Sequence, residues 1–265
     1  MLRFGTFYLL VRALSREDFG IWTLYITIIT VYEFIRASMV QQALVRYLSG
    51  KTSESEAGRI NTASLAMHAG ITLLGGGLIL GLSLMADQVW GTAQLGEMLG
   101  LYLLCTLLLL PYFQFNFIQQ ANLQFAGIFF SNLIRYSLLF GYVFWGFVIN
   151  DHGFDLLELV WVQIIAAALA SVVSWLFARP YLTFSRQLDR RWVGLMVAFS
   201  KYIIGTSGGA MLLKSMDQIL LGAMSSPAAV AGFGTTMRIT YLVEVPAQSV
   251  GAIVFPQSAR RIETE

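Results

Sequence analysis

The stretch LGLYLLCTLLLLPYF, residues 99–113, carries no charge and does not alternate between polar and apolar positions. A lipid-exposed barrel strand would alternate with a period of two over about ten residues, so a run of this kind crosses a membrane only as a helix. Working outward, similar runs follow one another along the chain with short polar breaks. Across all 265 residues, 57% are hydrophobic and only 12% are charged, and the mean hydropathy is +0.67, well outside the range of soluble domains. The sequence reads as an all-α polytopic membrane protein. Cys105, the single cysteine, lies inside the quoted run, so no disulfide framework or thiolate metal site is available and the thiol reads as packing.

Spans are expected at 19–45, 63–85, 97–118, 124–149, 156–178, 202–223 and 231–256, each long enough for about 30 Å of hydrocarbon. FGTFYLLVRAL, residues 4–14, is too short for a span and lacks the small-residue cleavage site of a signal peptide. It reads as the second half of a first helix. LDRRWVGLMVAFSKY, 188–202, has apolar residues at helical spacing (Trp192, Leu195, Met196, Phe199) after a basic cluster, which predicts an interfacial helix feeding the next span.

The loops between these spans separate by charge. Arg46, Lys51, Arg59, Arg179, Arg186, Arg190, Arg191, Lys201, Arg260 and Arg261, ten of the seventeen basic residues, fall on one side. Arg12 and Arg16 fall on the other, among Glu17, Asp18, Asp87, Glu97, Asp151, Asp155 and Glu158. The basic side is expected to be cytoplasmic.

Residues 14–45 and 224–255 form a loose internal repeat. Each opens on a serine-led turn, then has a glycine shortly followed by an aromatic (Gly20 and Trp22; Gly232 and Phe233), an acid (Glu33; Glu244) and a glutamine (Gln41; Gln248). A spacing of about 210 residues with five spans between is what two six-helix halves in parallel orientation produce.

The turn LSREDFGIW (14–22), and DQILLGAMSSPAAVAGF (217–233) followed by VFPQSARR (254–261), resemble the polysaccharide-biosynthesis or oligosaccharide flippases (Wzx-type) of the multidrug/oligosaccharidyl-lipid/polysaccharide (MOP) superfamily. By that resemblance Asp217 ends the seventh helix, Gly232 and Phe233 open the eighth, and Pro256 stands near its cytoplasmic end. It implies a two-lobe MOP/MATE-like transporter fold of twelve to fourteen helices, of which this chain would be a piece. Residues 1–178 would form the N-terminal lobe, 179–201 a basic cytoplasmic linker with the interfacial helix, and 202–265 the start of the C-terminal lobe. It implies, too, movement of an undecaprenyl-diphosphate-linked oligosaccharide to the outer leaflet of a prokaryotic plasma membrane, as in O-antigen or exopolysaccharide synthesis. The implied partners are that lipid-linked oligosaccharide, membrane lipids and the polysaccharide polymerase machinery, with no nucleic acid. No cofactor or metal is implied; a proton or sodium gradient is the expected coupling, and no enzyme activity is needed.

Seven ionisable side chains sit inside predicted spans: Glu33, Arg36, Arg135, Lys214, Asp217, Arg238 and Glu244. Each costs about 2.5–3.5 kcal/mol at a helix centre, so each is expected in a bundle interior or a watery cavity. Glu33 with Arg36, and Lys214 with Asp217, are i, i+3 pairs on one helix face, and Asp217 with Arg238 is the preferred pairing across helices. Arg36, Arg135, Lys214 and Arg238 are the candidate diphosphate ligands, Arg135 foremost because its helix holds only Asn132 as a polar neighbour. For Arg36 and Lys214, plain charge pairing is the favoured reading. Glu33, Asp217 and Glu244 are candidates for ion coupling or charge pairing.

Gln114, Asn116, Gln119 and Gln120, beyond Pro111, read either as glycan-facing groups or as a polar helix end. Pro111 and Pro246 are expected to bend their helices. Gly205 and Gly209 in GTSGGA (205–210) offer a small face for a neighbouring helix, and LLGGGLIL (73–80) reads as a mobile or tightly packed patch. His68 reads as a packed histidine rather than a proton relay. Two other function classes stay open. A membrane glycosyltransferase or acyltransferase needs a catalytic cluster that His68 and His152 alone do not supply; a multidrug exporter of lipophilic cations calls for an acidic cavity rather than a cationic one.

Overall fold

The computed structural model describes residues 2–49, 53–149 and 154–237. They form helices α1 (Leu2–Ala13), α2 (Arg16–Leu48), α3 (Glu54–Trp90), α4 (Ala93–Ala121), α5 (Phe125–Phe144), α6 (Leu156–Ala178), α7 (Arg190–Ile203) and α8 (Gly209–Met224). A further helical run, α9, covers 227–237. Sequence sets the helix starts. Ser15, Ser53, Asp155 and Asp189 each accept a hydrogen bond from a first-turn amide of the helix that follows, satisfying donors that a helix start leaves unpaired. Gly91, at φ 66°, ends α3 in the left-handed conformation a glycine adopts without strain.

Among the described residues five helices are long and apolar enough to cross a membrane: α2, α3, α4, α5 with its extension to Val148, and α6. They correspond to the first five predicted spans, but α2 and α3 run to 33 and 37 residues, about 50 and 55 Å at 1.5 Å per residue, so their ends outrun the hydrocarbon. Periodicity locates the apolar centre of such a helix and not its polar ends, which is why the predicted limits fell short. The predicted seventh span, 231–256, is described only as far as 237, where it is part of α9; its remainder lies outside the described residues, as do Pro246, Pro256, Arg260 and Arg261.

The segment 188–202, expected as an interfacial helix, forms α7. A π-helical segment, Ile204–Gly208, joins it to α8 with a bend of 46°, and the two together are apolar enough for a sixth crossing. Within the glycine-rich GTSGGA, a methyl group at Gly205 or Gly209 would meet nothing within 4 Å, while one at Gly208 would touch Ile35 of α2, so of these three it is Gly208 that faces a neighbouring helix, and the segment is also where the helix bends. α4, by contrast, continues through Pro111 as one helix. In LLGGGLIL, Gly75 alone of the three consecutive glycines is tightly packed, its Cα pressed against the Tyr32 ring.

α4 is the central helix, in contact with α2, α3, α5 and α6. Two apolar clusters flank a polar middle. One gathers Leu24, Tyr25, Leu99, Tyr102 and Ala167, the other Val40, Leu44, Ile60, Met67 and Met196. Between them lie the buried Arg36, Thr72 and Thr106. The outer faces of α3, α5 and α6 are apolar and open, Leu74 being 80% exposed, as lipid contact requires. Loop ends sort as their charges predicted: Ser49 bonds Ala121 and Asn61 bonds Thr183 at one end, while Trp90 bonds the Ile219 carbonyl at the other.

The two halves of the sequence repeat have the same start. Ser15 caps α2 through the Asp18 amide, and Ser226 accepts from the Ala229 amide in α9. α9 then lies against α2, with Pro227 on Gly20 and Gly234 on Thr23.

A cationic candidate cavity

A cavity of about 610 Å³ opens among α1, α2, α4, α5, α6 and α8. Among the described residues its charged lining is three cations, Arg3, Arg135 and Lys214, and one carboxylate, Glu33. The carboxylate is already engaged. Glu33 accepts from Arg36 at 2.6 Å and from the Tyr102 hydroxyl, so its charge is spent within the protein rather than on the neighbouring cations.

Arg135 lies over aromatic rings, its guanidinium 5.2 Å from the centre of Tyr112, 5.7 Å from Phe113 and 5.8 Å from Tyr136. Arg3 sits 4.4 Å from the same Tyr136 ring. Among the described residues neither arginine forms an ion pair. Aromatic faces stabilise a guanidinium without neutralising it, so two like charges converge on one ring. Uncharged polar groups complete the wall: Thr23, Thr27 and Thr30 from α2, Gln163 from α6, and Ser215 and Gln218 from α8. Tyr25 donates to Gln163 at 3.0 Å, and Thr27 donates to Gln218 across the α2–α8 seam.

The family described as polysaccharide biosynthesis protein matches residues 1–260, nearly the whole chain and every helix of this cavity. The chain belongs to that family. It is the family of the Wzx-type flippases in the MOP superfamily, as the turn at 14–22 and the DQILLG run implied. No curated protein and no solved structure matches the chain.

Within this family member the other candidate residues distribute unevenly. Arg36 is away from the cavity wall. It is fully buried, and besides Glu33 it donates to Thr72 Oγ1 at 3.2 Å and to the Thr106 carbonyl and hydroxyl at 3.0 and 2.9 Å, tying α2 to α3 and α4. Lys214 faces the cavity, whereas Asp217, three residues on, is exposed and not part of its wall; one turn of α8 separates the two roles. Arg238 and Glu244 lie outside the described residues, and with them the Asp217–Arg238 pairing.

The glutamines and asparagine after Pro111 turn inward to other helices. Gln114 donates to Ser64 at 2.7 Å, Asn116 accepts from Ser131 and Ser174, and Gln119 donates to Ser174. Only Gln120 is half-buried, accepting from Gln41 at 2.8 Å. These side chains lock helices rather than face a cavity. His68 is buried and stacks on Phe117. Asn132, the expected neighbour of Arg135, instead accepts from Tyr112 at 2.9 Å, and Cys105 is buried at the cavity wall.

Arg3 and the tyrosines were not among the sequence candidates. Arg3 stands outside any full span, so no insertion penalty marked it. A signal for the tyrosines was present: Tyr25, Tyr32, Tyr102, Tyr112 and Tyr136 lie well inside spans, whereas tyrosine ordinarily gathers at the membrane interface, and a mid-span hydroxyl needs a polar interior to satisfy it.

Proposed function

We propose that this family member translocates an undecaprenyl-diphosphate-linked oligosaccharide across the plasma membrane of a prokaryote by alternating access, with its basic loops cytoplasmic. The observation that carries this reading is the charge of the cavity: among the described residues it is lined by three cations and by a single carboxylate already held by Arg36 and Tyr102. A diphosphate is the part of such a cargo that bilayer passage penalises most, and arginines bind it by charge-assisted, bidentate hydrogen bonds. Arg135, Arg3 and Lys214 are the ligands. Threonines of α2 with Gln163 and Gln218 supply the hydrogen bonds a glycan needs. Translocation makes and breaks no covalent bond, so no catalytic group is invoked. Coupling to a proton or sodium gradient falls to Glu33, the one carboxylate on the wall among the described residues. A lipophilic cation would meet repulsion in this cavity, which sets the multidrug-exporter alternative behind.

The test is complementation of a strain lacking its oligosaccharide flippase. The gene restores surface glycan, and Arg135→Ala does not, although it reaches the membrane at the same level. Full surface glycan with Arg135→Ala would remove Arg135 from the site. Failure of the unaltered gene across several glycan pathways would count against the flippase reading itself.

A further inference from the structure

The segment 182–203 has one side fixed to the protein and one side free. On the fixed side, Asn61 donates to the Thr183 carbonyl at 2.9 Å, Thr62 donates to the Ser185 carbonyl at 3.0 Å, and Ser200 donates to the Met39 carbonyl at 2.7 Å. Trp192 packs edge-on against Tyr47 at 5.6 Å, and Met196, Ser200 and Ile203 are buried. Those positions recur every three or four residues and account for one face of α7. The other side of the segment, in 184–188 and along α7, is of mixed character: Arg186, Arg190, Arg191 and Lys201 are exposed beside Phe184, Leu188, Leu195, Val197 and Tyr202, also exposed. Asp189 is the sole acid of the segment. It is occupied, capping α7 through the Arg191 amide at 3.0 Å and facing Arg59 at 3.9 Å.

Four cations with no free acid among them, interleaved with apolar side chains, lie at the end of the bundle where α2 and α3 outrun the hydrocarbon. An apolar-and-basic helix face at that level is suited to acyl chains and anionic headgroups together. A neutral surface would leave the cations unmatched, and a water-soluble anion would leave the apolar side chains wet. We propose that the outer face of 184–202 is a binding surface for acidic phospholipids, with Arg186, Arg190 and Arg191 meeting the headgroup phosphates and Leu195 and Val197 the upper acyl chains. This surface is separate from the cavity and does not depend on the cargo assigned to it.

The experiment uses the whole chain in nanodiscs of phosphatidylcholine, with bromine-tailed phosphatidylglycerol or bromine-tailed phosphatidylcholine added as the quencher of Trp192, read against a Trp192→Phe variant that isolates its signal. Phosphatidylglycerol should quench Trp192 at lower mole fraction than phosphatidylcholine, and raised salt should erase the difference. An acidic surface attracts each nearby cation by roughly fivefold in affinity, so Arg186→Gln/Arg190→Gln/Arg191→Gln should lose more than about tenfold of the preference. The corresponding Arg→Lys triple should keep most of it, and Arg12→Gln/Arg16→Gln, at the opposite end, should change nothing. Equal quenching by both lipids overturns the proposal. So does a preference that survives high salt in the unaltered protein, a measurement that stands if the glutamine triple does not fold. Equal loss in the opposite-end variant would show bulk charge rather than a site and would also overturn it.

Discussion

Arg36 and Glu33 form an ion pair of 2.6 Å in which the arginine is fully buried and the carboxylate side chain is 13% exposed. The pair sits where the two apolar clusters meet, its arginine holding α3 and α4 through Thr72 and Thr106 and its carboxylate reaching the cavity wall. Removing one partner leaves a buried charge uncompensated, which costs about 3–5 kcal/mol. Glu33→Gln is therefore expected to lower the thermal unfolding temperature in detergent sharply, and Glu33→Gln/Arg36→Met to recover much of it. A double variant no more stable than the single one would show that Arg36 is held by the threonines alone.

Arg135 differs from Arg36 in having aromatic rings rather than an acid around it. Its replacement should therefore affect cargo more than stability. Arg135→Ala is expected to abolish surface glycan in the complemented strain while shifting the unfolding temperature little; Arg135→Lys, which keeps charge but loses the planar fork, should retain a small fraction of the activity. Arg3→Ala should weaken transport without abolishing it, because Arg3 is exposed and shares Tyr136 with Arg135. A large stability loss in Arg135→Ala would make its role structural.

The cavity wall and the lipid face can be told apart chemically. With Cys105 replaced by alanine, Thr30→Cys on the cavity wall should react with a membrane-impermeant sulfonate thiol reagent, and Leu74→Cys on the outer face of α3 should not. Because the wall is cationic, a negatively charged reagent should modify Thr30→Cys faster than a positively charged one of similar size, and high salt should narrow the gap. Equal rates for the two reagents at low salt would contradict the charge assigned to the cavity.

Glycine positions test the packing. Any side chain at Gly20 would run into the Pro227 backbone, and at Gly75 into the Tyr32 ring, whereas Gly77 has nothing within 4 Å. Overpacking of this kind costs about 1–3 kcal/mol. Gly20→Ala and Gly75→Ala are expected to destabilise by that amount, measured by unfolding in detergent, and Gly77→Ala to be neutral or mildly stabilising through its better helix propensity. A neutral Gly20→Ala would mean that α9 does not lie on α2 as described.

Much of this protein is determined by the sequence read alone. Uninterrupted apolar runs such as 99–113 admit only helices in lipid, because backbone polar groups must bond within the segment. The sorting of basic and acidic loops then orders those helices, and the i, i+3 spacing of Glu33 and Arg36 already specified their pairing. Local rules decided these features, and local rules are legible in one dimension. What the tertiary structure decided is which side of each helix faces what. It sent Lys214 to a cavity and left Asp217 off its wall, buried Gln114, Asn116 and Gln119 between helices, brought Arg3 from a short first helix onto the ring beside Arg135, and turned a glycine-rich stretch into a bend. Each of these outcomes depends on the rotation of one helix against partners far away in the chain. An almost uniformly apolar helix does not encode that rotation in its own periodicity, because lipid and protein neighbours accept the same side chains.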